Sequence, residues 1–305
     1  MAANKLIAFA TCLPFPALSG DDVLLATALT AAGYTVEATP WDDETIDWTR
    51  YQAVVIRSTW NYHLHPAAFR AWLHRLKSHS LRVLNPVDIL EWNMDKGYLE
   101  HLQQRGVPLP LTQFLDKDSN PDLDTIFRTT GWQRAVIKPC ISATAYNTWV
   151  TRPDTAIADN ARLHELLQTD RYMIQEFMEE VETDGEYSLL FFGHQYSHAV
   201  KKTAKAGDFR VQEKYGGTSL PTRPGPDILR QATAILDKAV PFYEGSSGDA
   251  PSLLYARVDG VIRQGVFTLM ELELVEPTLF FDQHPLAVEQ FVYFFNSSLT
   301  AASIC

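Results

Sequence analysis

The pattern of apolar runs changes near Gly106, and this change constrains the fold more than any other feature of the sequence. Before Gly106, short apolar runs alternate with stretches whose apolar residues recur at helical spacing; after it, paired runs joined by short turns appear. Parallel strands need crossover segments between them, whereas antiparallel strands can be joined by tight hairpins. The sequence therefore predicts a small open α/β sheet with parallel neighbours, followed by antiparallel β structure with helices. Pro108 and Pro110 mark the transition, because proline does not continue a helix.

The first part of the chain predicts strands and helices in alternation. Strands are predicted at 6–11, 35–38, 53–56 and 82–84, and helices at 21–32, 66–76 and 88–105. Gly33 is a natural end for the first helix, since glycine is common just past a helix C-terminus. The first strand is not followed by Gly-x-Gly-x-x-Gly, so the dinucleotide-binding fingerprint is missing.

The second part predicts two hairpins and further helices. One hairpin joins strands 187–192 and 195–201 through Gly193-His194, and the other joins strands 253–262 and 266–275. The remaining predicted elements are strands at 135–137, 148–151 and 172–177 and helices at 160–168, 226–242 and 285–299.

Composition argues against several classes of function. The 305 residues carry a formal net charge of −11, whereas nucleic-acid binders need a concentrated basic face. No apolar run approaches the roughly 20 residues that span a bilayer, and the N-terminus does not resemble a signal peptide. The three cysteines, Cys12, Cys140 and Cys305, are too scattered for a disulfide framework or a zinc cluster. We therefore expect a cytoplasmic protein with no nucleic-acid or membrane partner.

The strongest local signal is the segment 270–277, which reads MELELVEP. On a strand, alternate side chains share a face, so Glu271 and Glu273 project together, about 7 Å apart, while the leucines between them are buried. The preceding strand offers Asp259. Three carboxylates on neighbouring strands suit Mg²⁺, particularly when phosphates complete its shell. The alternative is a solvated sheet face with ordinary surface charge, and the sequence does not fix the register between the two strands.

Two lysines occupy positions at which phosphates can be held. Lys138 ends a buried apolar strand and precedes a polar stretch that begins at Ser142. A lysine rarely ends such a strand without a charged partner, and a phosphate is one candidate; a lysine that extends its ammonium to solvent is the alternative. Lys96 follows Asp95 near the start of the helix that ends the first lobe. Helix N-termini favour anions, so Lys96 can hold a phosphate or be solvated.

The segment Gln175-Glu176-Phe177-Met178 leaves a predicted strand and enters an acidic loop. An extended segment offers backbone donors and acceptors to a purine edge, and Phe177 and Met178 can wall the ring. Glu186, further along, can accept hydrogen bonds from ribose hydroxyls. An ordinary strand that enters an acidic loop is the alternative.

Arg210 lies between apolar residues in the segment 207–212, with Gly216 and Gly217 after it. This pattern predicts a short strand. An arginine there can bind a carboxylate or a phosphoryl group through two parallel hydrogen bonds, and a surface salt bridge is the alternative.

The order of these segments resembles the ATP-grasp superfamily across nearly the whole chain, within the prokaryotic glutathione-synthetase and RimK-like group. The resemblance rests on an Asp-Lys helix, a VIKP strand, a QEF hinge, a GE turn, an arginine segment, and then RVD and ELE near the end. A narrower likeness, to the O-ureido-serine cyclo-ligases of cycloserine biosynthesis, rests on residues 57–62, 84–86, 207–212, 216–217 and 271–277.

The resemblance implies an α/β (α+β) ATP-grasp fold, in which a Rossmann-like N-terminal lobe precedes two α+β subdomains that hold ATP between them. The implied domains are the N-terminal lobe 1–108, the small lid subdomain 109–178 and the C-terminal subdomain 179–305 with the metal site. The implied reaction joins a small-molecule carboxylate to an amine-type substrate through an acyl phosphate and releases ADP and phosphate. The oligomeric state is open, with a homodimer as the commonest assembly for an enzyme of this size.

The resemblance also implies a role for individual residues. The residues implied to hold ATP are Lys96, Lys138 and Ser142 at the phosphates, Gln175, Glu176, Phe177 and Met178 at the adenine, and Glu186 at the ribose. The residues implied to bind one or two Mg²⁺ are Asp259, Glu271 and Glu273. The residues implied to neutralise the transferring phosphoryl group are Arg210 and Arg257. The residues implied to face the substrates are Trp60, Asn61, Tyr62, Arg210 and Glu276.

One segment departs from the family pattern. The loop after Lys138 reads CISATAYN, without the glycines that such a lid usually carries and that let backbone amides approach phosphates freely. Two alternatives to a ligase are kept. One is a small-molecule kinase that stops at phosphoryl transfer, and the other is a nucleotide-sensing or interaction protein that binds ATP without turnover, which the glycine-poor lid supports. The sequence also leaves open whether the amine belongs to the same molecule, as in a cyclisation, or to a second one.

Overall fold

The computed structural model describes residues 5–205, 207–239 and 253–300. Within those ranges no helix is long and apolar enough to cross a membrane. Cys12 and Cys140 are buried free thiols. The predicted helix end at Phe242 and the third cysteine, Cys305, lie outside the described residues.

The N-terminal part folds around a parallel sheet, as the alternation of strands and helices predicts. Its elements are β1 (Leu6–Thr11), α1 (Gly20–Ala31), β2 (Thr35–Pro40), β3 (Ala53–Ile56), α2 (Pro66–Ser78) and β4 (Arg82–Leu84). The strand order is β2-β1-β3-β4, and every pairing in the sheet is parallel. Alternate residues of β1 face two cores: Ile7 packs in the core that contains Leu29 of α1, and Ala8 in the core that contains Trp72 of α2. Both faces of the sheet are thus covered, which is typical of parallel sheets.

The single helix predicted at 88–105 is wrong, because the structure divides it into α3 (Val87–Asn93) and α4 (Tyr98–Gln104). The Asp95 side chain accepts a hydrogen bond from the Gly97 backbone N–H at 2.8 Å. The Lys96 backbone N–H donates to the carbonyl oxygen of Cys140 at 2.8 Å. Neither N–H group is bonded to the carbonyl that a continuous helix would offer, so the helix is interrupted. Aspartate side chains commonly compete with helical hydrogen bonds in this way.

The middle of the chain forms an antiparallel sheet. Its elements are β5 (Thr112–Leu115), α5 (Leu123–Thr130), β6 (Ala135–Pro139), β7 (Trp149–Thr151), α6 (Ala156–Leu167) and β8 (Tyr172–Glu176). The strand order is β5-β8-β6-β7. The sequence analysis missed β5 and α5. Both helices pack against the sheet through a core that contains Phe127, Ile137 and Leu163.

The last part of the chain forms a second antiparallel sheet, which contains both predicted hairpins. Its elements are α7 (Glu180–Thr183), β9 (Glu186–Phe192), β10 (Gln195–Thr203), β11 (Thr218–Thr222), α8 (Pro226–Ala239), β12 (Tyr255–Arg263), β13 (Val266–Glu273) and α9 (Ala287–Thr300). The strand order is β11-β10-β9-β12-β13. Leu272 of β13 and Ile235 of α8 share one core, so α8 covers one face of the sheet. The charged side chains described below project from the other face.

Two sequence expectations about this part have different outcomes. The short strand predicted around Arg210 is wrong, because residues 207–212 form a loop. Asp208 accounts for that local shape, since its carboxylate accepts a hydrogen bond from the Arg210 backbone N–H at 2.9 Å.

The proposed domain boundaries, 1–108, 109–178 and 179–305, stay a prediction, although each of the three sheets lies within one of those ranges.

Candidate active site

The acidic residues of the last hairpin lie on neighbouring strands. β12 and β13 pair so that Asp259 stands opposite Glu271 and Arg257 opposite Glu273. A β-bulge shifts the register between Asp259 and Gly260. At Gly260 a Cβ atom would come within 2.6 Å of a carbonyl oxygen of β13, so glycine is required at this bulge. The hairpin therefore places three carboxylates, those of Asp259, Glu271 and Glu273, next to the Arg257 guanidinium. These three carboxylates are here called the acidic cluster.

Asp259 is the most strongly paired of these carboxylates. Its oxygens accept hydrogen bonds from Ser188 at 2.6 Å, from Lys202 at 2.9 Å and from the Arg257 guanidinium at 2.9 Å. Burial opposes ionisation, but the charges of Arg257 and Lys202 outweigh it and hold the pKa of Asp259 well below its usual range. Asp259 is thus an anion whose oxygens are fixed by three donors.

Glu273 and Arg257 form an ion pair across the hairpin. Burial, with Asp259 and Glu271 close by, outweighs the attraction of Arg257 and raises the pKa of Glu273 to about 7. The Glu273 side chain keeps 27% of its surface exposed. It is therefore accessible, and its ionisation depends on any further cation that enters the site.

Lys96 lies in the break between α3 and α4 and contacts Ser142, which follows β6, and Glu271 of β13. Its Nζ lies 3.1 Å from Oε1 of Glu271, 3.0 Å from the carbonyl oxygen of Ser142 and 3.2 Å from the Ser142 hydroxyl. Burial would lower the pKa of Lys96, but Glu271 outweighs it and the pKa is raised. Lys96 is thus a charged, nearly buried ammonium between Ser142 and Glu271.

Lys138 differs from Lys96, because no described residue forms a hydrogen bond or an ion pair with its ammonium group. Burial lowers the pKa of Lys138, and Glu271 opposes that shift while Lys96 adds to it. A half-buried cation of this kind is a favourable place for an anionic ligand.

Lys202 is a site residue that the sequence analysis did not assign. Its Nζ bonds Oε1 of Glu186 and Oδ2 of Asp259, each at 2.9 Å. Burial raises the pKa of Glu186 in spite of Lys202. The alternation of side chains along β10 could have identified Lys202. Successive residues of a strand point to opposite faces, so Lys202 faces the carboxylates while Lys201 bonds Asp184 near the surface.

The predicted adenine segment lies at the end of β8. Gln175 is buried and bonds the Thr112 hydroxyl at 2.9 Å, and Glu176 accepts from Arg263 at 3.1 Å. Both side chains therefore have partners within the protein. Phe177 and Met178 are buried side chains at the end of the strand, and their role as a wall for a purine ring stays a prediction.

The predicted substrate residues lie on the first lobe and after β13. Asn61 is fixed by Trp41 and Asp42, each at 2.7 Å, and Trp60 packs edge-on against Phe15. Tyr62 is buried, and the charge of Glu276 contributes, after burial, to raising its pKa. Trp60 and Asn61 are thus held by contacts within the first lobe. Tyr62 is the one of the three whose pKa is raised by nearby carboxylates.

Glu276 has no hydrogen-bond or ion-pair partner among the residues that the structure describes. Burial, together with the nearby Glu273, raises its pKa to about 8, although Lys96 opposes the shift. A half-buried carboxyl group with no partner suits a cationic or hydrogen-bond-donating ligand.

Arg210 lies apart from the acidic cluster. Its guanidinium pairs with Asp208 at 2.7 Å and stacks on the Tyr215 ring at 3.7 Å. Within the described ranges it has no bond to Asp259, Glu271 or Glu273. Of the two predicted catalytic arginines, the structure thus brings Arg257 to the cluster and leaves Arg210 on a neighbouring loop.

The glycine-poor loop at 140–148 adopts the backbone conformations that glycine usually supplies. Thr144, Ala145 and Asn147 have φ values of 54°, 55° and 46°. The loop contacts both neighbouring parts of the molecule: Tyr146 packs against His63, and the Thr144 carbonyl accepts from Tyr215 at 3.2 Å. Left-handed backbone at such residues carries strain, which is a feature of functional loops.

The sequence comparisons identify the family of this chain. A curated relative, the cycloserine biosynthesis protein DcsG of Streptomyces lavendulae, is 31% identical over 290 residues, which cover 92% of this chain and 93% of the relative. The chain belongs to the DcsG family. Residues 7–85 also match the family model described as the N-terminal domain of D-cycloserine synthetase DcsG. The crystal structure of DcsG matches with a TM-score of 0.85 and 27% identity, covering 97% of this chain and all of that one.

More distant structures show that DcsG and this chain share the ATP-grasp fold. D-alanine–D-alanine ligase from Bacillus anthracis, in complex with ATP, matches with a TM-score of 0.67 and 12% identity over 97% of both chains. The ATP-grasp ligase PsnB, in complex with a phosphomimetic variant of a minimal precursor, Mg and ADP, matches with a TM-score of 0.63 and 14% identity over 97% of this chain and 99% of that one. The predicted ATP-grasp fold is therefore confirmed, and membership of the DcsG family confirms the predicted ligase class.

The donor set of this DcsG-family site fits a magnesium nucleotide better than a bare metal ion. Among the described residues, no three side chains of Asp, Glu, His or Cys converge closely enough to enclose a metal. Mg²⁺ bound to nucleotides usually takes only one or two carboxylates and completes its shell with phosphates and water. Glu271 and Glu273 are adjacent, partly accessible carboxylates of this kind, and Lys138 offers an unpaired cation for a phosphate.

Proposed function

We propose that this DcsG-family chain joins a carboxylate to an amine-type nitrogen by way of an acyl phosphate. In the first step a carboxylate oxygen attacks the γ-phosphorus of ATP, and the bond from that phosphorus to the bridging oxygen of ADP breaks. In the second step the nitrogen attacks the acyl carbon, phosphate leaves, and the nitrogen releases a proton. The net products are ADP, inorganic phosphate and a C–N bond.

The convergence of three lysines on one group of carboxylates carries this proposal. Lys96 bonds Glu271, Lys202 bonds Asp259, and Lys138 lies within the electrostatic influence of Lys96 and Glu271. A carboxylate that attacks a triphosphate brings two anions together, and the transferring group spreads negative charge over its oxygens. Fixed cations at that place lower the barrier because they need no reorganisation during the reaction.

Each charged residue has a separate role in the proposed site. Lys96 and Lys138 hold the nucleotide phosphates, with Ser142 beside Lys96, and Lys202 offsets the charge of the transferred group. Arg257 holds Glu273 in place across the hairpin. When bound, Mg²⁺ would supply positive charge that stabilises the phosphates, and Glu271 and Glu273 would be the residues that hold it.

Binding of the nucleotide requires an exchange of partners. Lys96 is paired with Glu271, and Arg257 with Glu273. A phosphate would take the place of the Glu271 carboxylate beside Lys96, and Glu271 would then be free to hold the metal. The pairing keeps these buried charges compensated, since unpaired buried charges are costly.

Glu276 supports an amino-acid derivative as the substrate. Its carboxyl group lacks a protein partner within the described residues and lies close enough to influence Tyr62 and to be influenced by Lys96. A substrate ammonium or amine would provide the missing partner. The relative DcsG is described as a D-cycloserine synthetase, so we propose ring closure within one amino-acid molecule as the first reaction to test.

The test is ADP release against a panel of amino acids, dipeptides and ureido or hydroxylamine analogues, with hydroxylamine added in parallel. An acyl phosphate yields a hydroxamate, whereas a kinase product does not. The expected result is substrate-dependent ADP release and a hydroxamate when hydroxylamine is present. Phosphate transfer without hydroxamate would favour a kinase, and nucleotide binding without ADP release across the panel would contradict the ligase proposal.

A further inference from the structure

The outer edge of β13 is bonded by side chains instead of by another strand. β13 is the last strand of its sheet, so one edge of its backbone faces away from β12. At that edge the Leu272 N–H donates to the Tyr98 hydroxyl at 2.8 Å, and the Leu272 carbonyl accepts from the Asn93 amide at 2.7 Å. The Leu274 N–H donates to the Asn93 side-chain oxygen at 2.8 Å. Asn85 adds a bond to the Leu274 carbonyl at 2.9 Å.

Asn93 replaces a neighbouring strand at this edge. Its side-chain amide has a donor and an acceptor, and it uses the donor on Leu272 and the acceptor on Leu274. Aspartate has the acceptor without the donor, and leucine has neither. Asn93 and Tyr98 are both buried, so the loss of either group leaves backbone atoms of β13 without a partner in a place that water does not reach easily.

The bonded residues alternate with the proposed magnesium ligands. Leu272 lies between Glu271 and Glu273, whose own partners on β12 are Asp259 and Arg257. Because alternate residues of a strand point to opposite faces, a change of register or twist at Leu272 would re-aim both glutamates. The backbone bonds at Leu272 therefore set the direction of the two carboxylates.

The residues that hold this edge also flank Lys96. Asn93 ends α3, Tyr98 begins α4, and Lys96 lies in the break between them. Its ammonium bonds Glu271 at 3.1 Å, and its backbone N–H bonds the Cys140 carbonyl at 2.8 Å, next to the loop at 140–148. Residues 93–98, here called the bracket, thus contact β13 on one side and the start of the loop at 140–148 on the other.

We propose that Asn93 and Tyr98 are positioning residues, which hold β13 so that Glu271 and Glu273 face Lys96 and the nucleotide. This inference rests on the proposed function, since it assigns those glutamates to the magnesium nucleotide. It also agrees with the break of the predicted helix 88–105 at 94–97: a continuous helix could not present Lys96 and Tyr98 to the same neighbour, because positions two residues apart do not share a helix face.

The test compares Tyr98→Phe and Asn93→Leu with a matched control at the far end of the same strand. Gln231 of α8 bonds β13 in the same way: its amide accepts from the Phe267 N–H at 2.8 Å and donates to the Gly265 carbonyl at 3.2 Å. Phe267 is four residues from Glu271, roughly 14 Å along a strand. Gln231→Leu therefore removes an edge bond of the same kind away from the carboxylates.

The measurements are the Mg²⁺ concentration that gives half-maximal ADP release, the affinity for Mg-ADP by calorimetry, and the thermal midpoint. The expected result is a rise of at least fivefold in the Mg²⁺ requirement for Tyr98→Phe and at least tenfold for Asn93→Leu, with weaker Mg-ADP binding. Gln231→Leu should lower the thermal midpoint and leave the Mg²⁺ requirement within twofold of the wild type.

The outcomes separate this inference from the function on which it rests. If Tyr98→Phe and Asn93→Leu lose thermal stability like the control but keep the wild-type Mg²⁺ requirement and Mg-ADP affinity, the bracket is only structural and the inference is wrong. Tyr98→Phe keeps the ring in the core, so it provides this answer even where Asn93→Leu does not fold. A wild-type protein that neither binds Mg-ADP nor releases ADP would reject the proposed function itself, and this inference with it.

Discussion

Lys96 and Glu271 form an ion pair of 3.1 Å that joins the N-terminal lobe to the last strand of the C-terminal sheet. One partner is a proposed phosphate ligand and the other a proposed magnesium ligand. Because the two groups are paired with each other, binding of a magnesium nucleotide has to separate them. The predictions below follow from what each side chain contacts before that separation.

The double change Glu271→Gln and Glu273→Gln should abolish Mg²⁺-dependent ADP release, because neither amide can bind the metal as a carboxylate does. The sequence alone suggests an unaffected fold, since both residues were expected on an exposed face. The structure indicates a cost as well, because Lys96 and Arg257 lose their partners; we expect a loss of about 1–3 kcal/mol in unfolding free energy. ADP release and chemical denaturation measure the two effects.

Glu37→Gln is the matched control for that double change. Glu37 pairs with Arg50 at 2.7 Å on the surface of the first lobe, and exposed pairs contribute little to stability. ADP release should be unaffected. Retained Mg²⁺-dependent turnover in the Glu271/Glu273 double variant would show that the metal is held elsewhere.

Lys138→Met should weaken nucleotide binding by at least tenfold and stabilise the nucleotide-free protein. The ammonium is half-buried without a described partner, and burial lowers its pKa, so its removal relieves an unfavourable burial. Changes of this kind commonly add about 1 kcal/mol. Calorimetry with ADP and thermal denaturation without it measure the two effects. Lys138→Arg keeps the charge and should retain most of the affinity; equal affinity in Lys138→Met and the wild type would contradict the phosphate role.

His198 should make the protein less stable in mild acid. Burial lowers its pKa to about 4, helped by His284, whose ring lies 4.7 Å away, and opposed by the Leu279 carbonyl, which takes the Nε2–H at 2.8 Å. The unfolded chain gains a proton near pH 6.5 and the folded chain only near pH 4, so stability is complete above pH 6.5 and falls as the pH is lowered. At pH 5 the loss is about 2 kcal/mol.

His198→Gln isolates that contribution, because glutamine can still donate to the Leu279 carbonyl but does not titrate. The difference in unfolding free energy between wild type and variant should shift by about 2 kcal/mol between pH 7.5 and pH 5. A constant difference over that interval would contradict the assignment.

Much of the fold could be predicted from the sequence where periodicity is local. Strands such as β1 and β3 have the predicted bounds, and both hairpins form at their glycine turns. The pairing of Asp259 with Glu271 agrees with the expected neighbouring strands, but its register depends on the bulge at Gly260, which no local pattern reveals.

The parts that sequence reasoning missed depend on contacts between distant segments. The break at 94–97 forms because Lys96 bonds Cys140. The loop around Arg210 is the exception, since its shape depends on a local bond between Asp208 and the Arg210 backbone N–H. Lys202 becomes part of the site only when β9, β10 and β12 lie side by side. Helix and strand propensities do not encode such tertiary contacts, and the contacts override the propensities where the two disagree.

Glu276 should make substrate binding depend on pH in a direction that the site determines. Burial and the nearby Glu273 raise its pKa to about 8, so at pH 6.5 the carboxyl group is mostly neutral in the substrate-free protein. A cationic or donating substrate group prefers the carboxylate, and kcat/KM for the amine-bearing substrate should therefore rise about 20-fold from pH 6.5 to pH 8.5. In Glu276→Gln the value should be low and nearly independent of pH over this range, while the KM for ATP stays close to that of the wild type. An identical pH profile in variant and wild type would mean that another group controls the titration and that Glu276 does not meet the substrate.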